Sequence, residues 1–130
     1  MNKILIGDDD ETIRMLYADE FSEEGYDVFT MGDCTRVLAS IQEKRPDLVV
    51  METKLGKHNG LDLLQDIRNK YDELPVILCT AYPAFKRDLK SVAADFFVVK
   101  GSSLRELKER IRMVFQACEP FQGPTVFNGA

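Results

Sequence analysis

Four short stretches of this chain are almost wholly apolar, and each runs into a side chain that carries charge or a hydroxyl. Lys3-Ile4-Leu5-Ile6 leads to Asp8, Asp9 and Asp10, and Leu48-Val49-Val50-Met51 leads to Glu52. Val76-Ile77-Leu78-Cys79 leads to Thr80, and Phe96-Phe97-Val98-Val99 to Lys100. Apolar runs this short, with little alternation, read as strands buried on both faces, the pattern of a parallel sheet covered by helices. The segments between them have helical period. Ile13, Leu16, Tyr17 and Phe21 predict one face of a helix over 11–24, ended by Gly25. Tyr26 to Thr30 reads as a short strand, and Val37, Leu38 and Ile41 mark a helix from about Asp33 to Lys44, stopped before Pro46. Leu61, Leu64 and Ile67 line a helix ending near Tyr71. A helix of roughly Ala84 to Val92 precedes the last strand, and a final one follows Lys100. Ser103 with Glu106 forms a capping box for it, and Leu104, Leu107, Ile111 and Val114 or Phe115 supply its buried face. This alternation predicts an α/β fold, a doubly wound (βα)5 parallel sheet in three layers.

In such sheets ligands bind beyond the carboxyl ends of the strands. Asp8, Asp9, Glu52, Thr80 and Lys100 should therefore meet at one edge. Two or three carboxylates, a hydroxyl and an amine suit Mg²⁺ and a phosphoryl group, because the metal prefers oxygen ligands and phosphoryl transfer depends on neutralising charge.

At 130 residues the chain is expected to form one domain with a real core. A net charge of -5 speaks against a nucleic-acid surface, which is usually basic. Cys34, Cys79 and Cys118 are odd in number and lack CxxC spacing, so they read as reduced thiols, buried or incidental, in a cytoplasmic protein. After Met1-Asn2-Lys3 the apolar run is too short for a signal peptide, and no stretch approaches a membrane span. After Gln116 periodicity is lost, so 1–117 is expected to be the domain and 118–130 a flexible tail.

Taken together, Ile4-Leu5-Ile6-Gly7-Asp8-Asp9-Asp10, Arg45-Pro46-Asp47-Leu48-Val49-Val50, Asn59-Gly60-Leu61, Thr80-Ala81-Tyr82 and Phe97-Val98-Val99-Lys100 resemble the receiver domain of two-component response regulators, over residues 2 to about 117. The resemblance implies a flavodoxin-like sheet of order 2-1-3-4-5 and phosphoryl transfer from a histidine kinase to an aspartate beside Mg²⁺. It sets Asp8 and Asp9 on the metal-holding pair, Glu52 on the phospho-acceptor and Lys54 on the residue whose backbone carbonyl ligates the metal. Thr80 falls on the switch hydroxyl, Phe97 on the switch aromatic, and Lys100 on the lysine that pairs with the phosphoryl oxygen. Expected partners are a histidine kinase, a phosphotransfer protein or a downstream signalling protein.

The chain departs from that pattern at several points. Glu52 stands where the family has aspartate, and its extra methylene moves the carboxylate outward by about 1.5 Å. In-line attack tolerates little of this, since a 1 Å misplacement can cost about 10²-fold. Gly101 replaces the usual proline after the lysine, Gly56 replaces a common proline after the third strand, and the segment between Thr80 and Lys100 is slightly short. The expectation is a stand-alone receiver-like module that is not an enzyme, is not phosphorylated at Glu52, binds Mg²⁺ weakly and works through protein contacts. The alternative is a working regulator phosphorylated at an atypical site.

Plainer readings stay open for single residues. The aspartates could simply cap the following helix, Lys100 could be a solvated strand-end charge, Thr80 a turn hydroxyl, and Phe97 core. His58, in a polar loop, reads as a surface residue. Asp8-Asp9-Asp10-Glu11-Thr12 also matches D-x-D-x-T, resembling the Mg²⁺-dependent haloacid-dehalogenase phosphatases, with Asp8 as nucleophile and Asp10 as acid/base. That reading lacks a late acidic pair. By the receiver resemblance, output would leave through a face including Lys86, Arg87, Lys90, Phe97, Arg105 and Lys108.

Overall fold

The apolar runs become β1 (Lys3–Gly7), β3 (Leu48–Met51), β6 (Val76–Thr80) and β7 (Phe96–Val99), and β2 (Asp27–Met31) is the fifth strand. They form one parallel sheet of order β2-β1-β3-β6-β7, the expected 2-1-3-4-5 order when only its own strands are counted. A computed structural model describes residues 2–52, 54–55, 58–81, 94–100 and 104–118. The helix expected at Ala84 to Val92, Gly56, Gly101, the Ser103 cap, the tail beyond Cys118 and Lys86, Arg87 and Lys90 lie outside the described residues, as do the Cys34 and Cys118 side chains.

Helices α1 (Glu11–Glu23), α2 (Val37–Lys44), α3 (Gly60–Lys70) and α4 (Arg105–Cys118) cover the sheet. Side chains alternate along each strand, so the core has two halves. Ile4, Ile6, Val50 and Ile77 pack with Tyr17 and Phe21 of α1 and Leu107 and Ile111 of α4. Leu5, Val49, Met51 and Leu78 pack with Val37 and Ile41 of α2 and Leu61, Leu64 and Ile67 of α3. Among the described residues no helix is long and apolar enough to cross a membrane.

Local chemistry sets the helix ends. The Asp10 carboxylate accepts hydrogen bonds from Thr12 N at 2.9 Å and Ile13 N at 3.3 Å, capping α1. Gly25, at φ +97°, follows the last turn of α1 in the left-handed region that glycine enters without penalty. The second helix does not begin at Asp33. Asp33 Oδ1 accepts from Thr35 N at 2.9 Å and Thr35 Oγ1 at 2.7 Å, and a 3-10 turn over Cys34–Arg36 comes before α2.

Two further expectations need correcting. Leu16 is 46% exposed and lies outside the core. The inward stripe of α1 is Ile13-Tyr17-Phe21 at spacing i, i+4. The flank beside Leu16 is taken by Glu20 and Glu24, which bond Lys108 at 2.7 Å and Arg112 at 3.1 Å on α4. The polar loop expected around His58 instead contains a two-stranded antiparallel ribbon, β4 (Lys54–Leu55) with β5 (His58–Asn59). The two-residue spacing between these strands is that of a tight hairpin. The His58 side chain itself lies outside the described residues.

This packing makes a sharp contrast between two positions on α1. Phe21→Ala empties a fully buried site and should cost about 3–5 kcal/mol. Leu16→Ala, at the surface, should cost about 0.5 kcal/mol or less. Urea unfolding midpoints test both, and an equal loss at the two positions would refute the assignment of the buried face.

Candidate functional site

The parallel register carries the site residues to one edge. Gly7 is level with Met51, and Thr80 with Val99. The ladder runs one residue further: Asp8 N donates to Met31 O at 3.1 Å, Glu52 N to Gly7 O at 2.9 Å and Lys100 N to Thr80 O at 2.6 Å. Asp8, Glu52, Thr80 and Lys100 thus stand at neighbouring strand ends because their backbones still pair.

The side chains converge on the Lys100 ammonium. Its Nζ lies 2.6 Å from Glu52 Oε2 and 2.7 Å from Asp8 Oδ2. The side chains of Asp8 and Glu52 are 4% and 6% exposed, and that of Lys100 18%. Burial alone would lower the Lys100 pKa, but hydrogen bonds to Asp8 and Glu52 and their negative charges outweigh it, and the lysine is held above its ordinary range. Burial pushes Asp8 up, and Glu52 adds to this, against the lowering pull of Lys100 and of the Asp10 amide. One ammonium thus serves two buried carboxylates.

The remaining aspartates have separate tasks. Asp8 Oδ1 accepts from Asp10 N at 2.9 Å, so both Asp8 oxygens are engaged. Asp9 is exposed, and Asp10 is the α1 cap rather than a pocket residue. Arg14 of α1 also reaches the site. Its Nη1 donates to Asp8 O at 2.7 Å, and its guanidinium lies against Gly32, where a Cβ would come within 2.5 Å of Nη1. A glycine straight after the second strand was the available signal.

Tyr17 does more than fill the core: its hydroxyl lies 3.6 Å from Cys79 Sγ, with both residues buried. Burial raises both groups, the thiol to about 11, so Cys79 stays protonated and unreactive at neutral pH. Thr80 is fully buried at the end of β6. Phe97 is partly buried against the core half formed with α2 and α3. Lys54 lies in β4, and its side chain is outside the described residues.

The expected output face also changes. Lys108 pairs with Glu20 across the α1–α4 interface, and Arg105 Nε lies 3.3 Å from Glu109 Oε1 one turn along its own helix. Lys108 is therefore turned toward α1 and away from β7. Beside β7, Arg110 lies 5.2 Å from the centre of the Phe96 ring, and its Nη1 donates to Sδ of Met113, which is 44% exposed, at 3.5 Å.

The donor set can be tested against Mg²⁺. Asp8, Asp9, Glu52 and the Lys54 carbonyl are oxygen donors of the right kind. As arranged they do not fit a resident ion, because a cation already lies between Asp8 and Glu52. Among the described residues no three His, Cys, Asp or Glu side chains converge as a ligand set.

Removing the ammonium leaves two buried carboxylates facing each other. Lys100→Met should therefore cost about 3–5 kcal/mol at neutral pH. The wild-type melting temperature should be indifferent to millimolar Mg²⁺, while that of Lys100→Met should rise with it. A wild-type rise as large as the variant's would show that the lysine does not hold the cation's place. The sign of the pH dependence also follows. With its folded pKa raised, Lys100 contributes stability that is complete below its ordinary 10.5 and is lost as pH rises through the folded value. The stability gap between wild type and Lys100→Met should thus narrow above pH 10.5 in denaturant titrations.

Comparison with known proteins gives this geometry a family. A model of the response regulator receiver domain matches residues 4–112. The structure of the response regulator protein TrrA from Thermotoga maritima, in complex with Mg²⁺-BeF, superposes with a TM-score of 0.85 at 36% identity, covering 88% of this chain and 99% of that one. TrrA in complex with the histidine kinase ThkA gives 0.82 at 35% identity, covering 88% and 98%. A probable transcriptional regulator, ycf27 of Galdieria sulphuraria, is 33% identical over 98% of this chain and 51% of its own length. The chain spans about half the length of the curated relatives it matches. The family match takes in all but the first residue of the five strands, and with them Asp8, Glu52, Thr80 and Lys100, so the chain belongs to the response regulator receiver domain family.

Proposed function

We propose that this receiver domain signals through protein contacts and is not phosphorylated at Glu52. The observation that carries the reading is the 2.6 Å contact between Lys100 Nζ and Glu52 Oε2, with Asp8 on the ammonium's other side. A nucleophilic carboxylate needs an oxygen open to in-line attack, with metal and lysine flanking the incoming phosphorus. Here the longer glutamate reaches the lysine itself. The space meant for a phosphoryl group contains an internal ion pair, and Mg²⁺ binding is weak because the metal must first displace the ammonium.

The pocket acts by binding charge rather than by turnover, so the domain is not an enzyme. Asp10 is committed to the α1 cap, which also speaks against a D-x-D-x-T phosphatase using it as acid/base. The partner class is a histidine kinase, a phosphotransfer protein or a downstream signalling protein. TrrA, solved with its histidine kinase, supports this by likeness. The acidic balance of the chain supports protein rather than nucleic-acid contacts, in the cytoplasm.

Incubation with a small phosphodonor and Mg²⁺ should leave the intact mass unchanged. Glu52→Asp shortens the side chain, frees it from Lys100 and should restore labelling at position 52. Efficient labelling of the unmutated chain, mapped to Glu52 by peptide mass spectrometry, would overturn this reading. Labelling mapped to another side chain would support the atypical-site alternative instead.

A further inference from the structure

The pole opposite the Lys100 pocket holds a feature that signalling through Glu52 does not use. A cavity of about 300 Å³ opens between the C-terminal ends of α2 and α3, lined by Ile41, Gln42, Arg45, Pro46, Tyr71 and Leu74. An apolar cavity of about 150 Å³ suffices for a benzene ring, and ligand sites begin near 300 Å³. This one has room for a single ring and a short side chain.

Its walls are held in place. Lys3 N donates to Asp47 Oδ2 at 2.8 Å and Asp47 N to Lys3 O at 2.8 Å, fixing the turn after Pro46. Across the cavity, Arg68 Nη1 donates to Asp72 O and Leu74 O, both at 2.8 Å, and Arg68 Nη2 lies 3.2 Å from Asp95 Oδ2. A pocket formed in advance loses little ordering entropy when it binds.

Arg45 is the one charged residue of the lining. Its backbone is left-handed, φ 50° and ψ 61°, with its N–H on Ile41 O at 2.9 Å. Glycine would suit this backbone conformation better, while a basic side chain at the end of α2 complements the negative end of the helix dipole. Among the described residues its guanidinium makes no ion pair or hydrogen bond. Arg45 is exposed, so at the open rim of the cavity its guanidinium is a solvated, fork-shaped donor suited to a carboxylate. The Lys70 ammonium, 5.7 Å from the centre of the Tyr71 ring, adds positive charge at the same wall. Asp72 and Glu73 are exposed in the adjoining turn and do not line the cavity.

We propose that this cavity binds a small amphipathic carboxylate. Its ring or branched body packs against Ile41, Pro46, Tyr71 and Leu74, and its carboxylate pairs with Arg45. The site would give the domain a small-molecule input independent of Glu52.

The test is an amide-resolved NMR titration of the full chain with 3-phenylpropionate, with 3-phenylpropionamide and acetate as controls. Saturable shifts should centre on Gln42, Arg45, Tyr71 and Leu74. The amide and acetate should each bind at least about tenfold more weakly, since one lacks the charge-assisted bond and the other the apolar body. Arg45→Gly is the decisive variant, because it relieves the left-handed backbone while deleting the guanidinium. It should keep or raise the melting temperature and lower affinity for the acid about tenfold or more. Acid and amide binding equally, shifts centred elsewhere, no saturable shift, or Arg45→Gly binding as the wild type would each overturn the proposal. The amide comparison on unmutated protein decides the matter even if the variant folds poorly.

Discussion

Asp8 and Glu52 stand below the surface at adjacent strand ends, and two carboxylates so placed cannot both stay ionised without a cation within hydrogen-bond reach. The register of β1 with β3 leaves no choice about their proximity, because the ladder that buries Gly7 and Met51 continues one residue beyond them. Lys100 answers the constraint from the far side of the sheet, at the end of β7. Its stem crosses the end of β6, where Thr80 is buried, and its ammonium joins the two acids. The ion pair therefore fastens the sheet's central and outer strands at the same edge where a ligand would enter.

That fastening bears on what the pocket can do. In TrrA, a protein of the same fold, a structure with Mg²⁺-BeF exists. Here the Lys100 ammonium contacts both acids at that edge. Buried ion pairs rarely add much net stability, but losing one partner is costly. Such a pocket resists change unless something else supplies charge. Neighbouring groups are equally committed: Asp10 to the α1 cap, Arg14 to the Asp8 carbonyl, and Tyr17 to Cys79.

The surface of α4 shows how pairing across a core boundary can mislead a charge count. Lys108 reads as part of a basic face in sequence, yet it closes onto Glu20 of α1, and Arg112 beside it closes onto Glu24. Their contribution is to hold two helices over one half of the core. Beside β7, Arg110 of α4 stacks on Phe96.

The strands, their order along the chain and the edge at which Asp8, Glu52, Thr80 and Lys100 gather were readable from sequence, because apolar runs in a parallel sheet must be covered on both faces and must end on one side. The departure at position 52 was readable for the same reason. Three things depended on packing. Which of Leu16 and Tyr17 turned inward was decided by the charged flank that α1 shares with α4, a contact between segments 88 residues apart. That Asp10 caps while Asp8 enters the pocket was decided by the fold: Asp8 still pairs with β2 at the sheet edge, and Asp10 meets the first amides of α1. That Lys100 takes both carboxylates at once, rather than lying in solvent, was decided by the approach of three strand ends. Sequence determines what each segment can bury; only the folded chain decides which charges are then buried together.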